Sequence, residues 1–350
     1  MPAFAILCPD AFDYILNKTG NMLIRYRPQD VRCVIDPKKA GQTVQDVLGF
    51  GGNIPIVSSF NEAKDYSPDA MVIGSSPQGG YINEKYRKEI TAAIQYGCNI
   101  FSGMHQFLND DPEFFSLAQK KTITINDIRR PPDPPHFPKG SWKKRKVKVL
   151  LIVGTDCNTG KMTTGWEITK RLKSRGKNVR FVGTGQTGIM IEDSGYPMDR
   201  VISDFVSGAT ERLVLESESH DVLVVEGQGS LVHPSYSAVT LGILHGCLPH
   251  ALVLCYEVLR DRVTGVEHVR IPDLKQVREI YEVMSNIHQP CEVVAVAMNS
   301  RLVDDDAAAV ERERVREQLQ LPVTDIFRYD SDEIVEAVMD ARDRWLAGQE

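Results

Sequence analysis

Short apolar runs recur along the chain, each closed off by turn-forming residues and separated from the next by a longer stretch of mixed polarity. In the first 130 residues the runs fall at 5–8, 31–35, 70–73 and 99–101. Each is brief and apolar at consecutive positions, as a parallel strand covered on both faces requires. Residues 83–96 carry apolar positions near helical spacing, and Gly97 just beyond them supplies a C-terminal stop. Strand, helix and strand in succession predict a doubly wound parallel sheet.

The alternation then breaks and resumes. Residues 129–139, RRPPDPPHFPK, hold five prolines (Pro131, Pro132, Pro134, Pro135, Pro138). Such a run is extended, semi-rigid and unable to join a helix or a central strand, so it marks a boundary. The expected organisation is a first domain over 1–130, a proline-rich and basic linker over 131–145, and a second domain over 146–350. Strands are predicted there at 149–153, 179–182, 221–225, 251–255, 292–298 and 323–326. Helices are predicted at 164–174, at 272–288 with Pro272 in the first turn, at 307–319 and at 332–346. The fold class is α/β, two doubly wound domains.

Composition narrows the function classes. A chain of 350 residues is long enough for two cores, and 42% hydrophobic with 25% charged residues is ordinary for a soluble globular protein. The net charge of −6 argues against a general nucleic-acid binder. No run approaches the length of a membrane span, and the start lacks a basic, then apolar, leader, so a cytoplasmic protein with a small-molecule partner is expected. Homo-oligomer formation is compatible with this composition. The seven cysteines lack paired spacing and sit in apolar surroundings, which reads as reduced core residues with no metal site.

One stretch announces a chemistry. The apolar run ending at Val153 leads into Gly154, Thr155, Asp156, Cys157, Asn158, Thr159, Gly160, Lys161, Met162, Thr163 and Thr164. A strand, a glycine loop, Gly-Lys and a helix form a phosphate cradle: backbone N–H groups and the positive end of the helix face the anion, and the lysine adds a point charge. The amides from Asp156 to Lys161 are expected to line it. Met162 stands where a magnesium-binding Ser or Thr would follow the lysine. A turn of about 100° per residue prevents Thr163 from simply replacing that hydroxyl. A phosphate-bearing molecule that reacts without a metal therefore gains ground over ATP.

Three further strand ends should meet this loop, because the carboxyl ends of parallel strands share a crevice. They are the 183–188 turn with Gln186, the 225–230 segment with Glu226, Gly227 and Gln228, and the 298–301 segment with Asn299. Glu226 is the candidate base, and His233 before Pro234 is a second. Asp204 opens a helix, where it serves a substrate or caps the helix. Arg212, Arg260, Arg262 and Arg270 are candidates for gripping a carboxylate. His245 and Cys247, in a glycine-bearing loop, make a poor metal pair. In the first domain, Asp36, the 74–80 turn and His105 lie at strand ends and are weaker candidates; His105 is counted among the substrate contacts.

The segments GTDCNTGKMTT and VVEGQGSL resemble dethiobiotin synthetase and its P-loop relatives. Together with GTGQTGIMI, DFVSGATE and an N-terminal SGMHQFL, they make the chain similar to a narrower two-domain family. Some of its members are D-glutamate N-acetyltransferases of the DgcN type. The resemblance implies a Rossmann-like N-terminal domain, a dethiobiotin-synthetase-like P-loop domain, and acetyl transfer from acetyl-CoA to the amine of an acidic D-amino acid. The alternatives are an ATP- and Mg²⁺-dependent ligase or kinase, which Met162 weakens, and a nucleotide-binding regulatory protein.

Overall fold

The apolar runs of the first part become strands β1 (Phe4–Leu7), β2 (Val31–Ile35), β3 (Ile56–Val57), β4 (Ala70–Ile73), β5 (Asn99–Ser102) and β6 (Ile125–Asp127) in a computed structural model. They pair in parallel in the order β3-β2-β1-β4-β5-β6. The structure describes residues 2–14, 16–75, 81–141, 145–329 and 331–347. Alternate residues of β1 feed different cores. Ala5 and Leu7 join Cys33, Ile35, Met71 and Ile73, while Phe4, Ile6 and Cys8 join Val34 and Val72. This double covering is why the strand is apolar at every position. Helix Glu84–Tyr96 buries Tyr86, Ile90, Ala93 and Ile94. It is capped by the Asn83 side chain on the Tyr86 amide and ended by Gly97 at φ 110°. Edge strands β3 and β6 were not expected, being too short to leave an apolar run.

The second sheet is built from β7 (Lys148–Gly154), β8 (Val179–Val182), β9 (Val222–Glu226) and β10 (Ala251–Glu257). After β10 comes an antiparallel hairpin of β11 (Arg262–Val263) and β12 (Val266–Arg270), and then β13 (Glu292–Asn299) and β14 (Val323–Thr324). The sheet order is β14-β13-β10-β7-β9-β8, all parallel. The helix expected from Pro272 spans Leu274–Asn286, with Asp273 as its cap, so Pro272 lies outside it. His245 and Cys247 lie on helix Ser237–Cys247 and not in a loop. Among the described residues no helix is long and apolar enough to cross a membrane.

The chain divides into two compact units, one of Met1–Arg130 with Ile189–Pro197, the other of Pro131–Gly188 with Met198–Glu350. The excursion delivers Met190 to a core of the first unit. The proline-rich segment lies against helix Ser203–Leu215 of the second unit. The Lys139 and Ser141 amides donate to the buried Glu211 carboxylate at 2.7 and 2.6 Å, and Phe137 packs edge-on against Phe205. A stretch already restricted by proline loses little further freedom when it is held. Of the basic cluster that follows, Trp142, Lys143 and Lys144 fall outside the described residues.

Candidate functional site

At the end of β7 the backbone turns through Asn158 at φ 55° and Gly160 at φ 103° into helix Lys161–Ser174. A side chain at Gly154 has no room, since its Cβ would lie 2.7 Å from Thr159 Oγ1 and 3.2 Å from the Cys255 carbonyl. No side-chain hydrogen bond caps the helix at Gly160, and a helix start of this kind is where a P-loop receives an anion. Lys161 folds back so that Nζ donates to the Asp156 carbonyl at 2.7 Å. Met162 and Thr164 are buried and Thr163 half-buried, so the position that lacks the hydroxyl serves packing. One expected cradle amide is already spent, Cys157 N–H donating to Asp156 Oδ1 at 2.7 Å, and just ahead of the expected lining Thr155 N–H donates to Cys255 O at 3.0 Å.

Asp156 is fully buried, and the β11–β12 turn meets its carboxylate. Oδ2 accepts from Thr264 N–H at 2.9 Å, Thr264 Oγ1 at 2.7 Å and Arg260 Nη1 at 3.2 Å. Burial pushes this carboxyl up, but the Thr264 hydroxyl and amide, the Cys157 amide and Arg260 together hold it below its ordinary value. His233 completes the cluster, with Nε2 3.6 Å from Asp156 Oδ1 and 3.3 Å from the Thr264 carbonyl. Its Nδ1 accepts from the Ser235 amide at 3.1 Å, which requires a lone pair there and puts the ring proton on Nε2. With 1% of its surface exposed and both nitrogens engaged, His233 is placed as a support of the loop and not as the base expected from the sequence.

Asp156, Cys157 and His233 bring one potential metal-ligand atom each within 4.8 Å of one another. The donor set does not fit a metal ion. The His233 nitrogen facing the cluster carries the proton, whereas a ligating histidine donates from its other nitrogen. The Arg260 guanidinium already occupies the carboxylate.

On the other side of the cradle, β9 is paired in register with β7 so that Glu226 stands opposite Ile152. Glu226 Oε2 accepts from the amides of Thr184 and Gly185 at 3.0 and 3.1 Å, just ahead of helix Gln186–Glu192. Thr184 Oγ1 donates to the Glu226 carbonyl at 2.7 Å and receives Gln228 Nε2 at 3.0 Å. The approach is close enough to demand glycine. A Cβ at Gly188 would lie 2.3 Å from Glu226 Oε2, and one at Gly227 would lie 1.9 Å from the Ile152 carbonyl. Thus Glu226, Gln228 and Gly227 are brought together with the 183–188 turn, which holds Gln186 half-buried.

Tyr281 ties the two sides. Fully buried, it donates from its hydroxyl to the Gly154 carbonyl at 2.9 Å and receives the Leu231 amide at 3.2 Å. Burial pushes its phenol above the ordinary value. Tyr281 and Thr264 escaped the sequence reading.

Along β10 and β13, Glu257 and Asn299 are register partners. The buried Glu257 carboxylate pairs with Arg260 and receives Arg301 Nε at 2.5 Å. Asn299 Oδ1 accepts the Arg301 amide at 3.3 Å. The four proposed arginine grips fare differently: Arg260 is committed to Asp156, the Cys157 carbonyl and Glu257, and Arg212 to Glu216 and His136. Arg262 and Arg270 are backbone register partners across the hairpin, and Arg262 Nε lies 3.6 Å from Asp261 Oδ2. Asp204 is exposed in the first turn of helix Ser203–Leu215, whose cap position is Ile202, so it is not an N-cap, and among the described contacts it joins none of these loops. His105 is exposed in the first unit, where only Gly74 and Ser75 of the 74–80 turn are described. His245 Nε2 bonds the Met284 carbonyl and Cys247 is buried, which disposes of that pair as ligands.

The strand orders, the glycine loop and its lysine define a two-domain α/β protein, a Rossmann-like domain followed by a P-loop domain. The chain belongs to the DUF1611 family. Residues 136–335 match its domain of unknown function DUF1611_C, described as a P-loop domain, and residues 37–131 match DUF1611_N, described as a Rossmann-like domain. It is 35% identical over 335 residues to a D-glutamate N-acetyltransferase of Pseudoalteromonas sp, covering 95% of this chain and 98% of that one. A D-glutamate N-acetyltransferase of Tritonibacter scottomollicae is 33% identical over 292 residues, 83% and 87% of the two chains. The crystal structure of a DUF1611 family protein from Anabaena variabilis superposes with a TM-score of 0.92 at 34% identity, covering 97% of this chain and all of that one.

Proposed function

We propose that the protein is an acetyl-CoA-dependent N-acetyltransferase whose acceptor is the amine of an acidic amino acid such as D-glutamate. The observation that carries this reading is that relatives with that name align along most of both chains, while the matched P-loop domain contains the cradle and Glu226. The first-turn amides and Lys161 suit the phosphates of CoA, and acetyl transfer has no step that calls on a hydroxyl at position 162. The amine nitrogen attacks the thioester carbonyl, backbone N–H groups stabilise the oxyanion, and CoA leaves as the thiol after taking up a proton. Glu226 is the proposed acceptor of the ammonium proton. Two amides on Oε2 fix its direction.

An acidic substrate also needs a cation. Arg301 is pinned through Nε to Glu257, and its side chain is 38% exposed, with the terminal amino groups outside that bond. We assign it as the carboxylate grip, with Asn299 beside it; Gln186 and Gln228 are proposed contacts on the Glu226 side. Isothermal titration with CoA, ATP, and ATP with Mg²⁺ tests the cosubstrate. CoA binding independent of magnesium supports the transferase, and magnesium-dependent ATP binding without CoA binding would replace it with the ligase reading. Release of CoA thiol on adding D-glutamate and acetyl-CoA tests the reaction. Arg301→Gln should raise the KM for D-glutamate by about tenfold; an unchanged KM removes Arg301 from the site.

A further inference from the structure

The cradle contains a contradiction. A loop built to bind an anion carries a carboxylate, Asp156, in its own backbone circuit. In a buried setting a like charge beside a bound phosphate is costly. The Asp156 backbone carbonyl receives Lys161 Nζ at 2.7 Å, so the backbone that carries this carboxylate is part of the cradle.

Its side chain is held elsewhere. Thr264 supplies two donors, at 2.9 and 2.7 Å, and Arg260 a third at 3.2 Å, all to Oδ2. Oδ1 takes the Cys157 amide at 2.7 Å and faces the Nε2–H of His233. Arg260 also donates to the Cys157 carbonyl at 2.6 Å and pairs with Glu257, so the guanidinium is itself fixed. The His233 proton is shared with the Thr264 carbonyl, which ties the turn to the same cluster.

We infer that the β11–β12 turn, through Thr264 and with Arg260, is a charge clamp that keeps the cradle's own carboxylate turned out of the phosphate site. Thr264, Arg260 and His233 are positioning residues: they act on the ligand through the direction of Asp156. This rests on the reading of the loop as a phosphate site. A clamp of this kind makes a prediction opposite to that of a simple scaffold. Removing the clamp should damage binding, and removing the charge it restrains should repair the damage.

The test uses the full chain with ATP, CoA and inorganic pyrophosphate as probes, with affinities from isothermal titration and folding checked by circular dichroism and thermal midpoint. Arg260→Gln with Thr264→Val should weaken the best-bound probe by about tenfold. Adding Asp156→Asn to that pair should restore affinity to within about threefold of wild type. The deficit of the released variant should shrink at higher ionic strength, because repulsion is screened. Thr264→Ser, which keeps both donors, should bind as wild type does. Should the doubly substituted protein not fold, Thr264→Val alone, with and without Asp156→Asn, carries the same comparison with a smaller effect. A triple variant as weak as the double one overturns the clamp and leaves the cradle intact. A wild-type protein that binds none of the three probes overturns the phosphate site and the clamp with it.

Discussion

Both units carry a buried aspartate beside the central strand of a six-stranded parallel sheet, and the two are used in different ways. Asp36, 1% exposed, follows β2 and accepts the amides of Asp10 and Phe12 from the loop after β1 and of Lys38 from its own turn. The amides that a dinucleotide-binding loop would turn toward a ligand are thereby closed on the protein. Beside them Asn17 is buried so tightly that a Cβ at Gly74 or Gly20 would lie 2.3 or 2.5 Å from its Oδ1. The same point in the second sheet lies between β7 and β10. There Asp156, 0% exposed, is satisfied from the hairpin after β10, while the helix after the loop has no side-chain cap. One architecture thus yields a filled edge and a receptive edge, depending on where a single carboxylate finds its donors.

The largest effect should come from Lys161→Ala. Losing a buried charge partner of the ligand should weaken the phosphate-bearing cosubstrate about a hundredfold, whereas Asp36→Asn should leave that affinity within about twofold. Titration of both variants breaks the comparison if Asp36→Asn is the more damaging. Glu226→Gln keeps the size of the side chain and removes the proton acceptor. Turnover of D-glutamate should fall by about a hundredfold or more at nearly unchanged cosubstrate affinity. Steady-state assays alongside titration would exclude Glu226 as the base if turnover survives.

Much of this is legible in the sequence. The central strands showed themselves because burial on both faces leaves apolar residues at every position, and Gly154, Gly160 and Lys161 because a phosphate loop needs them in fixed order. Residues whose purpose is set by a distant partner were not legible. Thr264 meets Asp156 across 108 positions, and Tyr281 meets Gly154 across 127. Neither leaves a local pattern: Tyr281 occupies an ordinary core position of an amphipathic helix, and Thr264 a short turn. His233 was read as a base because a histidine near a glycine-rich strand end invites it, and only the Ser235 and Thr264 contacts reveal where its proton sits.

Gly188→Ala probes the receptive edge from within. The added methyl would stand 2.3 Å from Glu226 Oε2 in a packed region, so a loss of about 1–3 kcal/mol in chemical denaturation is expected, together with lost turnover. Gly176→Ala supplies the control. Its Cβ meets open space, but φ of 72° is strained for any side chain, so it should cost about 1 kcal/mol and leave catalysis alone. Equal losses of turnover in the two variants would show that stability, and not the Glu226 carboxylate, limits the reaction.

The smallest effect concerns acid. Asp156 is held below its ordinary value of 3.8 by Thr264, Cys157 and Arg260 against the opposing effect of burial. A depressed carboxyl stabilises the fold in full above its unfolded value and loses that contribution as pH falls through its folded value. Wild-type stability should therefore decline more steeply below about pH 4 than that of Asp156→Asn, whose side chain has no proton to take up. Urea midpoints across pH 2–6 compare the two slopes. The difference should be modest, because other carboxyls, such as Asp111 beside Arg87, are depressed as well and contribute to both proteins alike. Parallel slopes would mean that the hairpin holds a neutral group, and the contrast between the two sheet edges would then reduce to hydrogen bonding without charge.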